Sequence, residues 1–173
     1  MSKLVKLSPP QSSEGASVNQ LVSQCQPLDP NSIYCNLLQC DHFSDTSVIA
    51  KSDDDVVGFI SGYRIPQRND TLFIWQVAVD QQQRGTCLAT RMIQSILGRA
   101  HLADIRYIET TITQSNQASW ALFTRLAERL SAPLNKSEYY ISSTHFKGKH
   151  DSETLVRIGP MFNTTNGESN ESL

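Results

Sequence analysis

The sequence predicts a mixed α/β fold, a sheet of about seven strands with helices packed on both faces. Three observations predict it. Hydrophobic residues make up 39% of the 173 positions and charged residues 18%, which provides for a substantial core. Between residues 47 and 79 the chain alternates short apolar runs with polar, turn-forming links, the pattern of an antiparallel meander. Around and after that meander lie stretches whose apolar residues recur at helical spacing, separated by further strand-like runs.

The elements follow in order. Lys3 to Leu7 reads as an opening strand, ended by Pro9-Pro10. From Gly15 to Cys25, the positions of Val18, Leu21, Val22 and Cys25 describe one helical face. A second helix is expected to start with Asp29 as its cap and Pro30 in its first turn, carry Ile33, Tyr34, Leu37 and Leu38, and end near Cys40. Strands are expected over Ser47 to Lys51, Val56 to Ile65 and Thr71 to Val79. Arg84 to His101 places Leu88, Met92, Ile96 and Leu97 on one helical face, Ile105 to Thr113 is a strand, and Asn116 to Leu130 is a helix with Trp120 and Phe123 turned inward. Two strands close the fold, Glu138 to Ser142 and Thr154 to Ile158. Residues 1–160 form one domain in this reading, and the polar, low-complexity stretch 161–173 is expected to be a tail.

Bulk properties narrow the function. A formal charge of -2 offers no field to gather nucleic acid or an anionic membrane, so neither is an expected partner. The apolar runs are too short to span a bilayer, and Met1-Ser2-Lys3-Leu4 is unlike a secretory signal, so a cytoplasmic location is expected. Cys25, Cys35, Cys40 and Cys87 show neither a C-x-x-C pair nor clustered histidines, and read as reduced thiols with no metal.

The chemistry is concentrated in one stretch. The strand Trp75-Gln-Val-Ala-Val79 runs through Asp80 and a short basic turn directly into a helix. The first turn of a helix has backbone N–H groups without intrahelical partners, and the helix dipole adds positive potential there. Gly85 and Ala89 let a ligand approach the backbone, and Arg84 adds a full charge. The turn Arg84-Gly85-Thr86-Cys87-Leu88-Ala89 is thus a cradle for a diphosphate. Asn116 stands where the next strand meets the next helix, able to cap that helix and to bond a thin amide-bearing group lying against Val77, Ala78 and Val79.

The order of elements and these two motifs resemble the GNAT family, the Gcn5-related N-acetyltransferases. The family's phosphate motif, Arg/Gln-x-x-Gly-x-Gly/Ala, is matched at Arg84 and Ala89, with Cys87 where glycine is usual; at helical angles a cysteine there costs little. The resemblance implies a central, mostly antiparallel sheet, acetyl-CoA as co-substrate and a homodimer. It also implies coenzyme contacts from Val77, Ala78, Val79, Arg84, Gly85, Thr86, Cys87, Leu88, Ala89, Asn116, Ser119 and Phe123. The family commonly has a tyrosine as acid to the leaving thiolate seven residues after the asparagine; Phe123 stands there and has no proton to give.

A closer resemblance runs through residues 28–40, 58–63, 70–79, 109–113, 118–123 and 150–158, to the branch of this family that acetylates the side-chain (N4) amine of L-2,4-diaminobutyrate in ectoine synthesis. It implies a small diamino acid as acceptor and a pocket of Asp29, Tyr34, Trp75, His150 and Glu153. An alkyl ammonium, with a pKa of roughly 10.4, is no nucleophile, and its neutral form costs on the order of 4 kcal/mol to populate at neutral pH. The site therefore needs carboxylates to attract the diammonium substrate and a base, direct or through water, to take the proton. Asp29 and Glu153 suit ammonium recognition, with either, or a water, as the base; His150 is a further catalytic candidate, and Trp75 offers a ring to a cation. A backbone N–H near Val77 is the expected donor to the thioester carbonyl. Another diamino acid or a polyamine as acceptor, or an idle acyl-CoA-binding module, remain the alternatives at this stage.

Overall fold

The computed structural model describes residues 4–162. Seven strands form one sheet: β1 (Val5–Ser8), β2 (Val48–Ser52), β3 (Asp55–Ile65), β4 (Arg68–Val79), β5 (Tyr107–Thr113), β6 (Leu134–Tyr140) and β7 (Glu153–Ile158). Their order is β1-β2-β3-β4-β5-β7-β6, and every pairing is antiparallel except β4 with β5. The helices are α1 (Gly15–Gln24), α2 (Ile33–Asp41), α3 (Leu88–Leu97), α4 (Gln117–Arg129) and the short α5 (Ser142–His145).

Helices cover both faces. Val18, Leu21, Val22, Cys25 and Cys40 of the α1–α2 side pack with Ile49, Phe59 and Ala78. On the other face Leu88, Met92, Ile93 and Ile96 of α3, with Phe123 and Leu126 of α4, pack with Ile60, Leu72, Ile74, Ile108 and Val156. Met161, the first residue of the expected tail, is buried in this second core, and its N–H donates to Arg106 O at 2.8 Å. The ordered chain thus continues past 160, while residues 163–173 of that tail lie outside the described residues.

Strand β4 organises the site, and one extra residue does so. Ser61 of β3 pairs with Gln76 but its neighbour Gly62 pairs with Ile74, so Trp75 has no partner and forms a bulge. Leu72 and Ile74 pack on the α3–α4 side, yet Ala78, in step with them by strict alternation, faces α1 and α2. A bulge shifts the alternation by one, which sends both Phe73 and Gln76 toward the α1–α2 side. Gly62 makes the kink feasible: a Cβ there would lie 2.9 Å from both Phe73 O and Thr46 O, and its N–H is taken by Ser47 Oγ at 3.2 Å.

Just before the bulge, β4 and β5 pair only at Thr71–Tyr107, Leu72–Ile108 and Phe73–Glu109. Beyond Phe73 the parallel strands separate, which leaves the second half of β4 without a partner on that side. At the vertex sits Glu109, 2% exposed, held by Arg68 through two bonds of 2.7 and 3.0 Å and by Arg157 from β7. Arg157 in turn stacks on the Tyr107 ring at 3.8 Å.

Two helix starts differ from the sequence reading. α2 begins at Ile33, capped by Ser32, whose Oγ accepts from Cys35 N–H at 3.1 Å; Asp29 is no cap. α3 begins at Leu88 rather than Arg84, because Gly85 (φ 79°) and Cys87 (φ 60°) both take left-handed conformations that cannot continue into a helix upstream.

Candidate functional site

A cleft of about 780 Å³ opens over the separated strands. Its floor comes from β3, β4 and β5: Tyr63, Phe73, Trp75, Gln76, Thr111 and Thr113. One wall is the α1–α2 connection, with Pro27, Leu28, Asp29 and Asn31; the other is the stretch from Tyr140 to Glu153. Asn116 closes one end, as the N-cap of α4 with its side-chain oxygen accepting from Ser119 N–H at 3.2 Å.

Aromatic packing shapes the floor. Tyr63 lies 5.3 Å from Phe73 and 6.1 Å from Trp75, and Phe43 backs Trp75 edge-on at 6.5 Å. Trp75 stays 45% exposed although it stands on a central strand, because the bulge turns it into the cleft. Burial pushes the phenols of Tyr63 and Tyr140 above their ordinary range, with smaller contributions from Tyr139, so both remain protonated donors at neutral pH.

The α1–α2 wall is held from below by side-chain amides. Asn31 donates to Gln76 Oε1 at 3.1 Å, Asn19 donates to Asn31 O at 2.7 Å and to Asn36 Oδ1 at 2.9 Å, and Asn36 donates to Gln39 at 2.8 Å. Asn36 and Gln39 are fully buried, where lost hydrogen bonds are costly, so this chain fixes the wall's height. With Ser32 doing the capping, the Asp29 carboxylate is left 80% exposed and stands 3.6 Å from His150 Nε2.

Each histidine of the opposite wall has its Nδ1 committed to the backbone. His150 Nδ1 lies 2.7 Å from the Asp151 carbonyl, which only accepts, so Nδ1 carries a proton and Nε2 is the nitrogen turned toward Asp29, where the carboxylate favours a proton on it. The ring leans on Phe146 at 4.7 Å, and Ser142 Oγ holds the His150 carbonyl at 2.5 Å. Glu153 opens β7 between Thr113 of β5 and Tyr140 of β6. Among the described residues that line the cleft there are three carboxylates, Asp29, Asp151 and Glu153, and no lysine or arginine. The cleft suits a cation.

Of the five pocket residues expected from sequence, four line the cleft, coming from three distant segments: Asp29, Trp75, His150 and Glu153. Tyr34 does not. It is 69% exposed on the first turn of α2, because the Ser32 cap starts that helix later and turns its first residues to the surface. Sequence reasoning missed Tyr63, Phe73, Asn31, Gln76, Thr111, Tyr140, His145 and Asp151. The signal for Phe73 was its place two residues before Trp75; His145 offered none.

The phosphate turn has the expected amides. The first intrahelical bond of α3 runs from Arg91 N–H to Cys87 O, so Leu88, Ala89 and Thr90 have no intrahelical acceptor for theirs. Gly85 has nothing within 4 Å of a built Cβ, and Arg84, Gly85, Thr86 and Cys87 are all exposed. Two details correct the sequence reading. Phe123 is 2% exposed in the α3–α4 core rather than open to a ligand, and Cys87 has left-handed rather than helical angles. Ala78 is likewise buried, and Leu88 can offer only its backbone; Val77 and Val79 are partly covered on the α3 side. At the end of α1 the Cys25 thiol lies 3.5 Å from Val79 O. Burial pushes that thiol up, as it does Cys40 to about 11, so both stay neutral.

Residues 16–127 match the acetyltransferase (GNAT) family. The chain belongs to the GNAT acetyltransferases. Within them it is 54% identical over 157 residues to an L-2,4-diaminobutyric acid acetyltransferase of Methylotuvimicrobium alcaliphilum, covering 91% of both chains. It is 47% identical to the enzyme of that name from Halomonas elongata, over 87% of this chain and 79% of that one. Among solved structures, the diaminobutyrate acetyltransferase of Paenibacillus lautus, in complex with its substrate L-2,4-diaminobutyric acid and coenzyme A, superposes with a TM-score of 0.89 at 37% identity, over 95% of this chain and all of the other.

The left-handed cysteine has a measurable consequence in this GNAT chain. A non-glycine residue at such angles costs roughly 1–2 kcal/mol, part of which glycine gives back through its greater unfolded freedom. Cys87→Gly is therefore expected to stabilise the protein by about 0.5–1 kcal/mol in urea titrations. A variant less stable than the parent would show that the thiol makes a compensating contact.

Proposed function

We propose that the protein transfers the acetyl group of acetyl-CoA to the side-chain (N4) amine of L-2,4-diaminobutyrate, a step in ectoine synthesis, and that it works as a cytoplasmic homodimer. The observation that carries the reaction is the acid-lined cleft without cationic side chains, set on the open half of β4 beside the phosphate turn. The similarity to diaminobutyrate acetyltransferases over most of the chain supports the acceptor. Four free thiols suit a reducing compartment, and no helix among the described residues is long and apolar enough to cross a membrane.

Acetyl-CoA, when bound, supplies a thioester whose acyl carbon is open to an amine. The amides of Leu88, Ala89 and Thr90, with Gly85, Thr86, Cys87 and the Arg84 guanidinium, hold the diphosphate; Ser119 borders the pantetheine path, and Phe123 only packs beneath it. The unpaired edge of β4 from Trp75 to Val79, and the free side of Asn116, take the pantetheine amides as a strand takes its neighbour. The Val77 amide polarises the thioester carbonyl.

The residues of the walls prepare the amine. Asp29 and Glu153 draw the two ammonium groups in, and Trp75 presents its face to an ammonium. His150 Nε2 takes the proton, with the Asp29 carboxylate stabilising the imidazolium that forms. The neutral amine attacks the acyl carbon, the C–S bond breaks, coenzyme A leaves as its thiolate and takes a proton from solvent, and no acyl group is left on the protein.

The test is thiol release with diaminobutyrate, ornithine, lysine and 1,4-diaminobutane, repeated with Asp29→Asn and Glu153→Gln. Diaminobutyrate should be the preferred acceptor, and each variant should lose about 10- to 100-fold in kcat/KM. If diaminobutane matched diaminobutyrate the acceptor would be a polyamine, and if neither substitution mattered the acid-lined cleft would not be the acceptor site.

A further inference from the structure

The acceptor proposed above carries a carboxylate as well as two amines, and the cleft must discriminate for it without a lysine or arginine among its described lining residues. Only His145 and His150 can there present a nitrogen donor capable of positive charge. His150 is committed: its Nδ1–H goes to Asp151 O, and its Nε2 faces the Asp29 carboxylate, a place where a second anion would be repelled.

His145 is set the opposite way. Its Nδ1 lies 2.8 Å from the backbone N–H of Ile141, which can only donate, so Nδ1 is the acceptor and the ring proton sits on Nε2. The same two residues are bonded a second time, His145 N–H to Ile141 O at 2.8 Å, so ring and backbone are clamped together. Tyr140 stacks edge-on against the imidazole at 5.5 Å, and both residues line the cleft. Among the described residues Nε2 has no hydrogen-bond partner. An N–H donor held in one tautomer by the backbone, on the rim of a cleft otherwise supplied with carboxylates, is a receptor for an anionic group.

We propose, resting on the acceptor reading above, that His145 Nε2–H binds the α-carboxylate of the amino acid and makes the enzyme select diamino acids over diamines. The two histidines of one loop then divide the work by tautomer: His150 accepts a proton and His145 donates a hydrogen bond. Tyr140, kept protonated, supports the ring from its face.

The experiment compares L-2,4-diaminobutyrate with 1,3-diaminopropane, the same molecule without its carboxylate, in wild type, His145→Ala and His145→Gln. Wild type should favour the amino acid by 10-fold or more in kcat/KM. His145→Ala should lose about 10- to 100-fold on the amino acid and no more than about twofold on the diamine. His145→Gln, whose amide N–H reaches a similar point, should recover part of the loss. Because both substrates are read on one preparation, a folding defect cancels in the ratio. A ratio in His145→Ala equal to that of wild type, or a wild type indifferent to the carboxylate, overturns the assignment while leaving acetyl transfer to diamines standing. Turnover of neither amine by wild type overturns the acceptor reading itself, and this assignment with it.

Discussion

His150→Ala is expected to lower kcat by about 10²- to 10⁴-fold, the span over which a positioned general base contributes. The ring is held by three contacts, Asp151 O on Nδ1, Phe146 on its face and Ser142 on its backbone, and these leave only Nε2 for the amine. No neighbouring nitrogen can stand in, since His145 Nδ1 is used by Ile141 and its Nε2 carries the proton. The KM for acetyl-CoA should hold, because the phosphate turn is on another element. Free imidazole should restore part of the rate to His150→Ala by entering the space the ring left. At 3.6 Å, Asp29 and His150 are close enough to couple, so adding Asp29→Asn to His150→Ala should cost less than Asp29→Asn costs alone. A His150→Ala enzyme within threefold of wild type, or strictly additive losses, would pass the role of base to Glu153.

Much of this was legible in the sequence, and the reasons differ by element. Apolar periodicity marked six of the strands and the four longer helices, because those faces must be buried whatever their neighbours are; β6, expected at Glu138 to Ser142, runs from Leu134 to Tyr140 instead, since its residues are mostly exposed and leave no apolar pattern to read. The phosphate turn was legible because its parts are contiguous: a strand, an arginine, a glycine and an amphipathic helix. What failed were choices between near-equal local solutions. Asp29, Asn31 and Ser32 are all capping residues within four positions; Ser32 caps because Asn31 is drawn off to Gln76, a residue 45 positions away. The Trp75 bulge leaves no local trace, since a strand with one extra residue looks like a strand until its partner is known. Tyr34 fails with the cap that would have turned it inward. His145 lies in a four-residue helix whose place beside the cleft is decided by the pairing of β6 with β7, a long-range fact.

Glu109→Ala is expected to cost about 3 kcal/mol of stability, at the low end of what breaking a buried ion pair from one side costs. The carboxylate is buried and accepts from two guanidiniums, so its removal leaves Arg68 and Arg157 facing each other without an anion between them. The loss falls short of the upper range because both arginines are partly exposed, at 43% and 31%, and can turn toward water. For a chain of this size that corresponds to a fall of roughly 6–12 °C in Tm. The position makes it functional as well. Phe73–Glu109 is the last rung of the β4–β5 ladder before the strands part, so the ion cluster pins the vertex from which the cleft opens. Loosening it should raise KM for acetyl-CoA several-fold with less effect on kcat, since the separation of the strands sets the pantetheine site and not the proton path. Replacing all three charges together, Arg68→Met with Glu109→Leu and Arg157→Met, should recover most of the stability, because a buried cluster is costly chiefly when one sign is missing. If Glu109→Ala melted within 2 °C of the parent, the vertex would be held by the three backbone rungs alone, and the cluster would be a consequence of the splay instead of its anchor.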